Sequence, residues 1–310
     1  MRITDSILAS NFISSLNKSK EGIQTLQTRI ATGSKINNPS DSPSGISKVL
    51  KLQEQIQSGE SFVKNVENGQ AFMQTTTSSM ENIADKVQDT LVLFTETNNP
   101  VNASNFKSYA AQIDQVLSSL MDVANSEFDG KYVFGGTDFS TTTKPYGFTT
   151  DINGNKAVEL KVGSNSGEQK VRISKNMELT MNVPGSNVFP GVPSTGNGDV
   201  TSTDIFNTLL RVKTNLENGI IPADSDVNIV KDFQTNLAGQ LTTAGDTLNR
   251  LDSTHELLDN QQLELKKLLS NEKDVDVAQS VVDLQNQQYF LELSYKMSSM
   301  ILPKSLLDYV

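Results

Sequence analysis

The chain has 310 residues, of which 20% are charged and 36% belong to the hydrophobic set, too few for a thick globule and too many for full disorder. A formal charge of −10 disfavours nucleic acid and anionic membrane as partners, and the lack of Cys removes disulfides, thiolate metal sites and thiol nucleophiles. Trp is absent and aromatics are 6%, so thin cores and an elongated shape are expected.

The first twenty residues interleave polar and apolar types and hold no unbroken apolar core of leader length. Neither a membrane span nor a cleaved signal is expected there, so any export uses a route that needs no such signal. Ala9, Phe12, Leu16, Ser19, Ile23, Leu26 and Ile30 recur in steps of three and four, one helix face that needs a partner to cover it. The pattern stops between Ala31 and Gly45, where Gly33, Pro39, Pro43 and Gly45 break the helix.

A second stripe runs from Val49 to Phe94, interrupted only at Gly59, Gln70 and Thr77. As one helix it would be about 70 Å long. After Asn98-Asn99-Pro100 a third stripe, Phe106 to Ala124, predicts an antiparallel helical hairpin with the second. Residues 127–200 then hold 11 of the 19 glycines and 4 of the 9 prolines. Alternating apolar runs at Val158 to Val162, Val171 to Ile173 and Met177 to Val183, with a turn at Asn153-Gly154-Asn155, predict a small antiparallel β-domain.

Helix returns at Ile205, Leu209, Val212 and Leu216, and a long stripe follows from Leu237 to Leu269 with His255 and Gln262 as its polar positions. A last helix is expected from Asp276, which caps it together with Gln279. Its seam reads Val277, Val281, Leu284, Gln288, Leu291, Tyr295, Ser298 and Leu302.

The fold class these patterns predict is mainly α: an elongated antiparallel coiled-coil or helical rod drawn from both chain ends, with a small inserted antiparallel β-domain. The expected divisions are terminal coiled-coil helices at 1–44 and 273–310, a helical rod at 45–126 and 201–272, and the β-rich insert at 127–200. The terminal stripes cover each other most simply if the two ends pair. Charge supports this weakly, since residues 1–50 sum to +3 and 271–310 to −3.

Chemistry-bearing motifs are sparse. His255 is the one His, in His-Glu-Leu-Leu-Asp, where Asp259 stands in the place of a second zinc-ligating imidazole. Its seam position favours a register-setting role over a metal or a Ser-His-Asp triad. The Gly-rich piece Gly191 to Gly198 lacks the Lys-Ser/Thr of a phosphate loop. Asp274 and Asp276 read as helix-start acids. No catalytic, metal or cofactor residue is assigned and no cofactor is expected.

Three segments carry a family resemblance. RIATGSKINNPSDSPSGISKVL, Arg29 to Leu50, resembles the turn after the first helix of the flagellin superfamily, with Gly33, Asn37 and Asp41 at its motif positions. Flagellins usually carry a double Asp before the Pro, where this chain has Asp41-Ser42-Pro43. GKYVFGGTD, with Tyr132, Phe134, Gly135 and Gly136, resembles the hook-associated protein 3 branch more than flagellin proper, as does the ending LQNQQYFLELSYKMSSMILPKSLLDYV.

The resemblance covers roughly residues 1–137 and 235–310. It implies a structural, non-enzymatic subunit of the bacterial flagellum, exported unfolded through the flagellar type III apparatus. It would sit at the hook–filament junction, with the first hook-associated protein, flagellin and copies of itself as partners. It also implies a cytoplasmic export chaperone that covers the C-terminal helix. The alternatives are a filament flagellin, a secreted hydrolase working with two carboxylates in the insert, or an adhesin. The assembly surface expected from the stripes comprises Phe12, Leu16, Ile23, Leu26 and Ile30 with Val281, Leu284, Leu291, Tyr295 and Leu302, left partly wet in the free subunit until neighbours close over it.

Overall fold

The computed structural model describes residues 2–98, 105–137 and 143–301, leaving aside the side chains of 2–6, 8–9 and 298–301. Asn99 and Pro100 of the expected break, and Leu302 of the expected seam, lie outside the described residues.

The predicted helices form, and their ends follow from local chemistry. Helix α1 (Arg2–Thr32) stops where Gly33 takes φ +68°, a conformation that favours glycine. Helix α2 (Pro43–Thr97) starts with Ser42 accepting the Gly45 N–H at 3.1 Å and Pro43 in the first helical position, six residues before its apolar stripe. Helix α3 (Phe106–Ala124) completes the hairpin connection and ends at Asn125, whose amide donates to the Met121 carbonyl at 2.8 Å.

The glycine-rich segment holds three separate two-stranded antiparallel ladders: β1 (Glu127–Phe128) with β2 (Lys131–Tyr132), β3 (Tyr146–Thr150) with β4 (Lys156–Leu160), and β5 (Lys170–Ser174) with β6 (Met177–Thr180). The alternation from Met177 to Val183 is longer than the strand it makes. The Asn182 side chain accepts the Gln169 N–H at 2.7 Å and replaces ladder pairing beyond Met181. After the one-turn α4 (Gly185–Val188) come α5 (Ile205–Glu217), α6 (Asp224–Lys273) and α7 (Val277–Ile301). Asp204 caps α5 through the Asn207 N–H at 3.0 Å, and Asp276 caps α7 through the Gln279 N–H at 3.0 Å, as its spacing predicts.

By their contacts the residues divide into two compact units, 1–59 with 260–310 and 60–259. In the second unit one continuous core runs from the helices into the ladders. Leu117, Val158, Leu209 and Leu237 are all fully buried in it. The few aromatics concentrate rather than disperse. Phe189 lies 5.0 Å from Phe206, 5.1 Å from Tyr146, 5.5 Å from Phe134 and 6.0 Å from Phe233, ring centre to ring centre. That cluster ties the insert to α5 and α6, so the scarcity of rings does not give this unit a thin core.

Two asparagines brace the β3–β4 hairpin where strands would otherwise be needed. The Asn125 side chain exchanges two hydrogen bonds with the Tyr146 backbone, accepting at 2.9 Å and donating at 3.0 Å. Asn207, fully buried on α5, does the same with Val158 of β4, at 2.7 and 2.8 Å. Each amide replaces a strand neighbour and satisfies backbone groups that burial would otherwise leave unpaired.

The candidate assembly surface

The first unit is built by antiparallel pairing of α1 with α7 and of the adjoining ends of α2 and α6. Because both pairs are antiparallel, the break between α1 and α2 meets the break between α6 and α7. Ser34 forms an isolated bridge with Asp274, the Val275 N–H donates to the Gly33 carbonyl at 3.0 Å, and the Lys35 N–H donates to Lys273. Lys35 Nζ also reaches the Asn271 carbonyl at 3.0 Å, a cation at the carboxyl end of α6.

Within this turn the motif residues have structural jobs. Asp41 accepts the Asn37 and Asn38 N–H groups at 2.9 Å each, and Asn37 donates its amide to Ser34 at 3.1 Å. The Asn38 and Asn37 N–H groups, aided by the nearby Arg29 charge, hold the Asp41 carboxyl below its usual range. Gly45 packs so closely that a methyl group there would lie 2.6 Å from Ile36 and 2.7 Å from Ser42 Oγ.

Phe12, Leu16, Ser19, Ile23, Leu26 and Ile30 of α1 are all half-buried, in the predicted line. On α7 the line turned to α1 is displaced from the predicted seam. Ser280 is buried, Leu284, Gln287, Leu291 and Ser294 are half-buried, and Gln287 donates to Ser19 Oγ at 3.1 Å. Leu284 and Leu291 belong to this line. Val281 and Tyr295 stay exposed, Tyr295 with Lys20 Nζ 5.9 Å from its ring centre. The displacement has a simple cause: the apolar residues of α7 are spread around the helix instead of confined to one side, so a three-four spacing can be drawn along more than one side of it.

That composition leaves α7 with surface its own unit does not cover. Val277, Val281, Val282, Tyr289, Phe290, Leu293, Tyr295 and Met297 are all exposed, Tyr289 and Phe290 to 59% and 58%. Among the described residues of the first unit, the only buried apolar side chains are Val49 and Ile56, both on α2. Exposed apolar side chains gathered on one helix are the kind of surface that interaction sites use.

The second motif plays no part in that surface. Tyr132 and Phe134 are buried in the core of the second unit, the Gly135 N–H donates to the Tyr132 carbonyl at 3.2 Å, and Gly136 has φ +65°. A methyl group at Gly136 would fall 2.7 Å from the Asn165 carbonyl carbon. His255 lies between Glu67 and Asp259, at 3.5 and 3.4 Å. Among the described residues no three His, Asp or Glu side chains are grouped to hold a metal, and no helix is long and apolar enough to cross a membrane.

Comparison with known proteins places these features. The bacterial flagellin N-terminal helical region matches residues 3–138, and the bacterial flagellin C-terminal helical region matches residues 227–310. Bacillus subtilis flagellin is 23% identical, and Salmonella typhimurium flagellar hook-associated protein 3 is 22% identical. Each alignment covers 96% of this chain and 95% of the relative. The structure of the flagellar junction protein FlgL from Legionella pneumophila covers 74% of this chain and 100% of its own, with a TM-score of 0.56 at 13% identity. At that identity the likeness is one of fold.

Proposed function

The chain belongs to the flagellin superfamily, and on that premise we propose that it is a structural flagellar subunit joining the hook, through the first hook-associated protein, to the flagellin filament. The observation that carries the mechanism is the contrast in burial: the described residues of the first unit bury few apolar side chains and leave many on α7 exposed, whereas the second unit has a continuous core. Helices 1–44 and 273–310 act as the assembly helices, 45–126 and 201–272 as the rod, and 127–200 as the insert. Phe12, Leu16, Ile23, Leu26 and Ile30 meet α7, and the exposed α7 residues, Val281 and Tyr295 among them, meet neighbouring subunits. Folding is completed on assembly, so the ordering entropy of the ends limits premature association.

The subunit works as a joint and not as an enzyme. A cytoplasmic chaperone covers the C-terminal helix before export. Trypsin treatment of the purified monomer tests the coupled folding. About forty residues should be lost rapidly from each end, leaving a resistant middle. Ends that resist cleavage as long as the middle would rule it out.

A filament flagellin is the second reading, favoured by the Bacillus subtilis relative, which matches over nearly its whole length. A deletion strain separates the two. Loss of a junction subunit releases flagellin monomers into the medium, whereas loss of a flagellin shortens or removes the filament.

A further inference from the structure

The chain contains four Asn-Gly pairs: Asn68-Gly69, Asn153-Gly154, Asn197-Gly198 and Asn218-Gly219. Such a pair can rearrange without an enzyme. The glycine nitrogen, unshielded by a side chain, attacks the Asn side-chain amide carbon and loses its proton. A five-membered succinimide closes and ammonia leaves. Water then opens the ring at one of its two carbonyls, leaving aspartate or isoaspartate. The Asn side chain must swing onto a glycine N–H that has let go of its acceptor, so the hydrogen bonds around each pair rank the four sites.

Asn68 and Gly69 lie inside α2, where closing the ring means unwinding the helix around them. In the loop after β6, the Gly198 N–H donates to the buried Glu159 carboxylate at 3.2 Å, and Asn197 Nδ2 donates to Ser194 Oγ at 3.0 Å. At the end of α5, the Gly219 N–H donates to the Leu216 carbonyl at 3.0 Å, and Asn218 Nδ2 donates to the Thr214 carbonyl at 2.9 Å. In both loops the nucleophile and the amide it must reach are each held.

The β3–β4 turn differs. Its carboxylate, Asp151, accepts the Asn153 and Asn155 N–H groups at 2.8 Å each. The Gly154 N–H is held by Asp151 alone, through its carbonyl at 3.1 Å with the carboxylate alongside. The Asn153 side chain is exposed and has no hydrogen bond among the described residues. A methyl group on Gly154 would meet nothing within 4 Å, so the path of attack is open. The turn lies about 17 Å along β3 from the base of the hairpin at Pro145, clear of the buried cluster around Tyr146.

We propose that Asn153 is a site of self-modification, converting to aspartate and isoaspartate ahead of the other three. Each conversion places a carboxylate beside Asp151 and adds one negative charge to a chain of −10. Isoaspartate also inserts a methylene between the two N–H groups that Asp151 holds, loosening the turn while the ladder from Thr150 and Lys156 inward stays in place. This goes beyond the junction reading and needs no flagellar partner for its test, so the two can fail separately.

The full chain is kept folded at mildly alkaline pH and sampled over weeks. Its peptides are mapped by mass spectrometry, with isoaspartate resolved chromatographically. Asn153 should convert about three- to tenfold faster than Asn197 or Asn218, the factor that one more hydrogen bond on each of those pairs supplies. Asn68 should convert slowest. In urea that unfolds the chain the four rates should converge, because the hydrogen bonds that rank them are gone. Asn153→Ser should abolish the first acidic isoform seen on isoelectric focusing and leave the other three rates unchanged. Earlier conversion at Asn197 or Asn218, equal rates at the four sites in the folded chain, or an unconverted Asn153 over a period in which the unfolded chain reacts would overturn the proposal.

Discussion

Gly136 shows how a residue of the family motif can be indispensable without touching any partner. Its φ of +65° and the Asn165 backbone beside it leave no room for a side chain. Gly136→Ala should destabilise the second unit by about 1–3 kcal/mol, read as a lowered urea midpoint with unchanged slope. Glu159, outside the motif, likewise acts within its own unit. It is buried, and its carboxylate accepts Lys161 Nζ at 2.7 Å and the Gly196 and Gly198 N–H groups at 2.8 and 3.2 Å. Chiefly the Lys161 bond, with those N–H groups, holds its pKa below the ordinary 4.5. A depressed carboxyl contributes stability that is complete above its ordinary value and lost as pH falls through the lowered one. Thermal melts across the acid range should show this loss in the native chain, and Glu159→Gln should flatten that limb.

At the scale of elements, the terminal helices and the inner ones differ in what their apolar residues meet. Leu117 of α3 is fully buried, and Leu117→Ala should cost about 2–5 kcal/mol, as truncations in packed cores do. Leu284 of α7 is only half-buried in its own unit. Leu284→Ala should leave the monomer's melting temperature within about 1–2 °C while lowering incorporation into assembled flagella. Equal effects of the two substitutions on the monomer would mean that α7 is already packed as a core helix. The polar pair Ser19 and Gln287 belongs to the same picture, since a hydrogen bond there defines the register of α1 against α7 but contributes little apolar burial.

At the scale of the whole molecule, the chain joins a unit that holds its own core to one that leaves apolar surface open. Such a division suits the proposed joint: the second unit buries its own apolar side chains, and on that proposal the first gains its remaining cover from neighbours. Mixing the protein with the first hook-associated protein and flagellin should produce a ternary assembly that neither partner pair forms without it. Pull-down of flagellin through a tagged hook-associated protein measures this directly. Recovery of flagellin without the subunit would remove the bridging role.

The helices and the cap at Asp276 were legible in the chain, because periodicity and capping are local chemistry that acts within a few residues; the caps at Ser42 and Asp204 came only from the structure. The α1 stripe was legible for the same reason: its polar residues confine the apolar line to one side. The α7 seam was not, since a helix whose apolar and polar residues are spread over every side carries no mark of which side its partner takes. Nor could the bridge of Ser34 to Asp274 or the Asn125 and Asn207 braces be read from spacing. Those depend on residues far apart in sequence being brought together, and which backbone groups remain without a partner is settled only once every neighbour is in place.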